Sequence, residues 1–231
     1  MWVDLHIHSA LSPCANDDMT PNNIVNMSII KGLDLICVCD HNSARNQRAI
    51  AEVARELNMN VIFGIEVCSS EEVHLCTYFR NIEDVEAMGL WVESKWLDIK
   101  NNVDFFGHQW VFNSQDEVID ELPISLSFAI TATIEEIVDK THEYHGKCVY
   151  AHAMNKSHGV LRQLGLFPQD VDIDGIESRN FDDECAMKEK YPQLRDKLWL
   201  RSSDAHQLSD VLEQDVWIHN NKWKKFWGDE I

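Results

Sequence analysis

The stretch Leu33–Val67, LDLICVCDHNSARNQRAIAEVARELNMNVIFGIEV, decides what kind of fold the chain builds. Its first part, LDLICVCD, is a short apolar run ending on Asp40 and His41, as a strand buried on both faces would read. In ARNQRAIAEVARELN the apolar residues recur near every third or fourth position, the period of an amphipathic helix. NVIFGIEV then returns to a continuous apolar run broken only by Glu66. Strand, helix and strand in this order is the signature of an α/β fold with a parallel sheet, open or closed into a barrel.

The alternation continues on both sides. WVDLHIH is a strand, and a helix follows from about Asn22 to Lys31, with Thr20-Pro21 as cap and first turn and Gly32 as its end. Downstream come the strand EVHLCTYF and a helix from near Ile82 toward Asn102. After a break the pattern resumes with the helix TIEEIVDKTHEYHG, the strand KCVYAHA, a short helix near Lys156–Leu164, the strand DGIES, the helix DECAMKEKYP and the strand LWLRSSDAH. The break itself, VDFFGHQWVFNSQDEVIDEL at about 103–122, reads as two strands around an Asn-Ser-Gln-Asp turn. Such a hairpin-like insertion serves either as a lid or dimer contact, or simply as cover for a sheet edge. Trp223, Phe226 and Trp227 share one face of a terminal helix expected to dock on the barrel. One domain over 1–231 is the expectation.

The composition is that of a globular protein, 45% hydrophobic and 26% charged over 231 residues. With no apolar run near the ~18 residues of a membrane span and no leader-like segment, a soluble cytoplasmic chain is expected, with no membrane partner. A net charge of −19 repels phosphate backbones, so long nucleic acid is disfavoured as a partner. The seven cysteines form no CxxC pair and mostly sit in apolar runs, as buried thiols rather than disulfides or zinc-thiolate sites.

Function is written at the strand ends. The first strand ends in His6 and His8, the second in Asp40 and His41; the third carries Glu66 and the fourth His74; the next ends in His152, and the last in Asp204 and His206. In parallel α/β folds that end is where active sites are assembled. Each residue alone has a plain structural reading: Asp40-His41 would cap the next helix, and His74 would be a satisfied core histidine. A carboxylate in GIEV, however, needs a partner if buried. Together the set reads as a site for several metal ions. Neutral imidazoles with carboxylates suit zinc, manganese or iron better than magnesium.

DLHIHS, CDHNS, GIEV, EVHL, YAHA and SSDAH occur in the order found in the PHP (polymerase and histidinol phosphatase) family of metal-dependent phosphoesterases, which the chain resembles over nearly its whole length. The resemblance implies a distorted seven-stranded (β/α) barrel holding two or three divalent metal ions (Mn, Fe or Zn) at its mouth. By position, His6, His8, Glu66 and Asp204 would bind one metal, and Glu66 would bridge to a second held by His74 and His152. His41 and His206 would hold a third, with Asp40 orienting its neighbour or lying close to the cluster. The family pattern often has an aspartate five residues after the second histidine; here that position is Pro13, and Asp17, Asp18 or Cys14 is left to fill the place.

The resemblance implies hydrolysis of a small phosphomonoester or nucleotide-like phosphate by a metal-bound hydroxide. Arg45, Lys156 and Arg179, just beyond strand ends, are candidates for holding the phosphate, and His158 for protonating the leaving group. His108, His142, His145 and His219 have no assigned role, and His142 and His145 are expected on an exposed helix face. Two rival functions remain: a nuclease for short nucleic acid, which would want a basic track with stacking aromatics, and a non-catalytic metal-binding module. A small phosphorylated substrate is the expected partner, with room for a homo-oligomer.

Overall fold

In a computed structural model that describes residues 1–154 and 156–229, a seven-stranded sheet curls around a packed interior. Its strands, in chain order, are β1 (Val3–Ile7), β2 (Leu35–His41), β3 (Asn60–Cys68), β4 (His74–Phe79), β7 (Lys147–Tyr150), β8 (Gly175–Glu177) and β9 (Leu198–Leu200). The order in the sheet is β1-β2-β3-β4-β7-β8-β9. Between β4 and β7 a hairpin, β5 (Trp110–Phe112) with β6 (Val118–Glu121), forms a separate two-stranded sheet. The helices are α1 (Pro21–Ile30), α2 (Gln47–Leu57), α3 (Ile82–Glu93), α4 (Val103–Phe106), α5 (Ile134–Glu143), α6 (Val160–Leu164), α7 (Phe181–Lys190) and α8 (Asn220–Trp227). The fold is the distorted α/β barrel that the sequence predicts.

Local chemistry explains the elements. Thr20 caps α1 by accepting from Asn23 N, with Pro21 at the first helical position. Thr133 and Glu136 form a reciprocal capping box at the start of α5. α2 buries Ala49, Ile50, Val53 and Ala54 on one stripe and ends where Asn58 turns left-handed at φ 56°. Helices α1 and α2 cover Ile7, Ile36 and Val38, while α3, α5 and α6 cover Ile65, Leu75, Phe79 and Ile176. Each such side chain, once fully buried, contributes roughly 1.5–3 kcal/mol.

Three features of the sheet aim side chains at the mouth. Between Asp4 and Ile7 the pairing with β2 slips, a bulge, so that Leu5 packs inside below it while His6 and His8 face inward above it. Strands β2 and β3 run in unbroken parallel register from Leu35↔Asn60 to His41↔Glu66, which sets those last two side by side. Behind them Gly64 leaves room for two thiols: a Cβ there would lie 2.5 Å from Cys39 Sγ and 2.7 Å from Cys37 Sγ. Below the mouth the interior is filled by Leu5, Cys37, Cys39, Cys76 and Tyr78 and closed by Phe226 of α8, so the terminal helix does dock.

The structure corrects the sequence reading in several places. Within the expected parallel sheet β4 is antiparallel to both β3 and β7, because the short link 69–73 closes a hairpin. His74 therefore reaches the mouth from the start of its strand, not its end. α3 stops at Glu93, where Ser94 Oγ donates to Trp91 O, well before Asn102. The insertion begins with the helical turn Val103–Phe106, and its hairpin neither lids the mouth nor covers the edge of the large sheet. It buttresses the loop after β1 instead, through Trp110 N to Ala10 O and Phe112 N to Asn46 Oδ1, with Asn46 Nδ2 on Ser9 Oγ. The short helix before β8 starts at Val160, not Lys156.

Candidate metal centre

Glu66 sits at the middle of the mouth, 1% exposed. Its Oε1 lies 2.8 Å from His74 Nδ1, 3.0 Å from His152 Nε2 and 3.4 Å from His6 Nε2. Its Oε2 lies 2.9 Å from His41 Nδ1 and 3.4 Å from His8 Nε2. The two oxygens of one carboxylate are thus turned to two different groups of imidazoles. Asp204 closes the far side, with Oδ1 3.1 Å from His8 Nε2 and Oδ2 paired with Lys156. His206 stacks on His8 with ring centroids 4.2 Å apart.

The hydrogen bonds behind these rings show what the site is built to hold. His6 Nδ1 faces Glu177 Oε2 at 3.1 Å, so that nitrogen carries the proton and Nε2 presents a lone pair. His8 Nδ1 meets Ser12 Oγ at 3.0 Å; because that hydroxyl donates to Asp40 Oδ1, it accepts from His8, whose Nε2 is again a lone pair. His206 Nδ1 donates to the carbonyl of Asp204, leaving its Nε2 free. The result places His6 Nε2 and His8 Nε2, two acceptors, 3.1 Å apart, with two carboxylates against them. Lone pairs and anions converging in a buried space repel unless a cation stands among them. Glu66 Oε2 also lacks a hydrogen-bond donor despite its nearby imidazoles. The residues present fit a cluster of divalent cations.

The electrostatics divide the imidazoles: burial would lower His41 and His6, but Glu66 and Cys14 raise His41 to about 10, and Cys76, Glu66 and Glu177 raise His6, so these two take a proton where no cation competes for their lone pairs. Burial alone would raise the Glu66 pKa, but His74, His6 and His41 outweigh it and hold the carboxyl well below the usual carboxylate range. Glu177 is likewise drawn down to about 2, where His6 and His152 overcome its burial. Burial carries His74 down to about 4 against the pull of Glu66, so it is neutral, the form that ligates metals. The backbone is bent to serve the cluster as well. Asn42, His152, His158 and Asp204 all hold positive φ, at 49°, 29°, 62° and 54°. Left-handed non-glycine residues concentrate where function over-determines them.

Of the residues predicted to bind metal, His6, His8, His41, Glu66, His74, His152, Asp204 and His206 are brought together. Asp40 is not: it is buried behind His8, where Oδ1 accepts from Ser9 N and Ser12 Oγ and Oδ2 from Ser9 Oγ. Its work is to fix Ser12, and through Ser12 the ring of His8. Asp17 and Asp18 are exposed and line no part of the mouth, whereas Cys14 does. Arg45 lines neither of the two cavities at the mouth, and its guanidinium forms two hydrogen bonds to Glu93 of α3. Lys156 and Arg179 do line a cavity of ≈ 440 Å³ with Glu177, Ser178, Ser203 and Asp204. His158 lines a second cavity, with His41, His74 and His206, and stacks on His74 at 4.5 Å. His152, Lys156 and Asp204 border both cavities. His142, expected to be exposed, is paired at 2.7 Å with Asp174, while His145 is open to solvent.

Two carboxylates escaped the sequence reading. Glu177 orients His6 and accepts from His152 N. Asp4, fully buried, accepts from the backbone of Ser203 and Leu212 and so holds the Asp204 loop against β1. A signal for Glu177 was present, since GIE occurs twice, at 64–66 and 175–177, each time closing a buried strand.

Comparison with known proteins bears on the family and the fold. The model of the PHP domain family matches residues 4–163. An uncharacterized protein of Methanocaldococcus jannaschii is 22% identical over 188 residues, covering 78% of this chain and 82% of that one. Endonuclease Q of Pyrococcus furiosus superposes with a TM-score of 0.68 at 19% identity over 91% of this chain, which spans only 50% of that protein. A putative metal-dependent phosphoesterase of Bifidobacterium adolescentis gives 0.65 at 14% identity, with 97% and 94% of the two chains covered. An amidohydrolase of Chromobacterium violaceum with bound sulfate gives 0.60 at 17% identity over 99% and 96%. At these identities the structures speak to the fold alone.

Proposed function

The chain belongs to the PHP domain family, and from that premise we propose that it is a metal-dependent phosphoesterase hydrolysing a small phosphomonoester or nucleotide-like phosphate. The observation that carries the reading is the Glu66 carboxylate, buried and shared between two groups of imidazoles whose lone pairs converge. Divalent cations held there, two or three of zinc, manganese or iron, would acidify a water and withdraw charge from phosphoryl oxygens. His6, His8, Glu66 and Asp204 would hold one cation; Glu66, His74 and His152 a second; His41 and His206 a third.

The remaining roles fall to the cavities beside the cluster. Lys156 and Arg179 bring positive charge to the larger one and would clamp the phosphate, bidentately in the case of Arg179. When substrate enters, Lys156 would exchange its pairing with Asp204 for one with the phosphate, which frees that carboxylate oxygen for a cation. His158, anchored by Nδ1 on the carbonyl of Glu72, lines the adjoining cavity and in its protonated form would give a proton to the leaving oxygen. A net charge of −19 supports a small substrate over long nucleic acid, because the attraction for anions is confined to the loaded mouth.

The test is elemental analysis of protein purified without chelator, followed by a phosphoester screen with the metal found. Two to three equivalents per chain and turnover of a phosphomonoester are expected. Turnover of short oligonucleotides in preference to every monoester would replace this reading with a nuclease. Failure to bind zinc, manganese or iron after reconstitution would overturn it.

A further inference from the structure

The loop that follows His8 crosses the mouth as a strap. Ser12, Pro13, Cys14 and Ala15 make a turn closed by Ala15 N to Ser12 O at 2.9 Å, with proline at its second position, where its fixed φ is favourable. Both ends of this turn are tied to the cluster. Ser12 Oγ accepts from His8 Nδ1 and from His41 N and donates to Asp40. Asn16 N donates to the carbonyl of His206 at 2.8 Å. From outside, Gly107 of the insertion presses on Pro13, where a Cβ would come within 2.4 Å of the carbonyl oxygen. The strap is therefore clamped, and Cys14 at its crown lines the same cavity as His41 and His206.

Three imidazoles stand together at that cavity wall. His8, His41 and His206 bring nitrogens within 4.8 Å of one another. On the same side, Glu66 Oε2 is buried and has no hydrogen-bond donor, a second and independent sign that something belongs there. The position where the family pattern places a carboxylate is Pro13, and neither Asp17 nor Asp18 lines the cavity. The main chain of Asp18 is held over α1 by Asn23 Nδ2.

We propose that Cys14 supplies a thiolate ligand to the cation held by His41 and His206, in place of the missing carboxylate. The inference rests on the metal-cluster reading above. As the sulfur–metal bond forms, the thiol proton passes to solvent, and the cation gains a soft anionic donor beside imidazoles. That donor set favours zinc, iron or cobalt over manganese or magnesium at this one position, while the Glu66-bridged positions keep harder ligands. The protein would accordingly hold chemically unlike metal positions within one mouth.

The test loads the full chain with cobalt(II) and records its near-ultraviolet spectrum, where a thiolate bound to cobalt gives a charge-transfer band. Wild type and C185S, which removes the other exposed cysteine, are expected to show the band. C14S is expected to lose it together with one equivalent of metal, its affinity there falling by more than the ~10–100-fold that loss of an outer partner costs. C14D should regain the equivalent without the band. Alkylation gives a second readout: metal should protect Cys14 but not Cys185 from iodoacetamide, read by peptide mass spectrometry. Full metal content with no band in wild type, or a band that survives in C14S, overturns the proposal and leaves the cluster standing. If wild type and all variants bind no metal, the cluster reading itself fails.

Discussion

His6, His41, Glu66 and His74 stand on or at the ends of four strands of five to nine residues, laddered side by side. His152, Asp204 and His206 come from loops beyond strands of three or four residues, and two of the three hold a left-handed backbone. One wall of the site is a register and the other is a set of bent loops. The first wall is set mainly by sheet pairing, because shifting a ladder by one residue would turn its ligand away, with Glu177 fixing the His6 ring beyond the slip in β1. The second depends on side-chain anchors: Glu177 under His152, Asp4 under the Asp204 loop, Lys156 on Asp204. The ladder wall should therefore govern whether the site exists, and the loop wall how it handles substrate.

The largest effect that would break this contrast is expected at Glu66. Glu66→Gln keeps the shape but removes the charge that both imidazole groups share. Activity should fall by at least about 10²–10³-fold, the scale of losing one preorganised charge at a reaction centre. Metal content should fall with it while the circular dichroism spectrum is retained. Wild-type turnover in this variant would take Glu66 out of the bridge.

Next in size are packing changes. Gly64→Ala drives a methyl into Cys37 and Cys39 behind the ladder wall and should cost about 1–3 kcal/mol or more. For a chain of this length that is about 2–4 °C in Tm per kcal/mol. Gly165→Ala, at φ 75° with nothing within 4 Å, should cost only the ~1–2 kcal/mol of a left-handed alanine. A Gly64→Ala variant that melts at the wild-type temperature would mean the interior behind Glu66 is looser than described.

A smaller effect separates the walls by kinetics. Lys156→Ala should raise KM roughly tenfold, the worth of one charge-assisted hydrogen bond, with less change in kcat. Arg45→Ala, whose partner is Glu93, should change neither. Steady-state kinetics on the substrate found by screening decide between them. A raised KM in Arg45→Ala would return that side chain to the phosphate.

The smallest effect lies away from the mouth. The bond to Asp174 raises the His142 pKa, against the opposing pull of its burial. Asp174 is lowered: burial pushes it up, but His142, Cys148 N and Lys147 outweigh that. The histidine's contribution is complete below the ordinary imidazole value near 6.5 and is lost as pH rises through its raised folded value. The carboxylate's is complete above the ordinary value near 3.9 and is lost as pH falls through its depressed one. Denaturant melts of wild type against His142→Gln should differ most between the ordinary carboxylate and imidazole values and converge as pH rises through the raised imidazole value. A gap that widens toward alkaline pH would reverse the assignment.

Much of the ladder wall was legible in the sequence, because strand ends announce themselves as apolar runs stopping on a polar residue. His6, His8, His41 and Glu66 were readable this way. What remained hidden depends mostly on partners far along the chain. Arg45 looked free because Glu93 lies 48 residues away. Asp40 looked like a ligand because nothing in CDHNS shows that Ser9 and Ser12 will saturate it. The reversal of β4 was legible in the link itself: residues 69–73 are too few for the about a dozen or more that a parallel connection needs, although His74 was grouped with residues at strand ends. Glu177 was overlooked for a different reason: its GIES was read as a strand alone, although the same GIE in GIEV, far earlier in the chain, had been read as chemistry.

The barrel closes through contacts between the two ends of the sequence: the parallel bridge Ile7↔Ala205, His8 N on Ala205 O and Asp4 on Ser203 N, the last spanning 199 positions. In folding time this makes the mouth a late event. The β2–β3 ladder and its helix can assemble from neighbours, but His8 meets Asp204 only after a loop of 196 positions has been closed. Ribosomal synthesis would keep His8 waiting for Asp204 until the 196 positions between them have emerged. A cation captured by the finished cluster would then clasp segments 196 positions apart, and its retention would report that the barrel has closed.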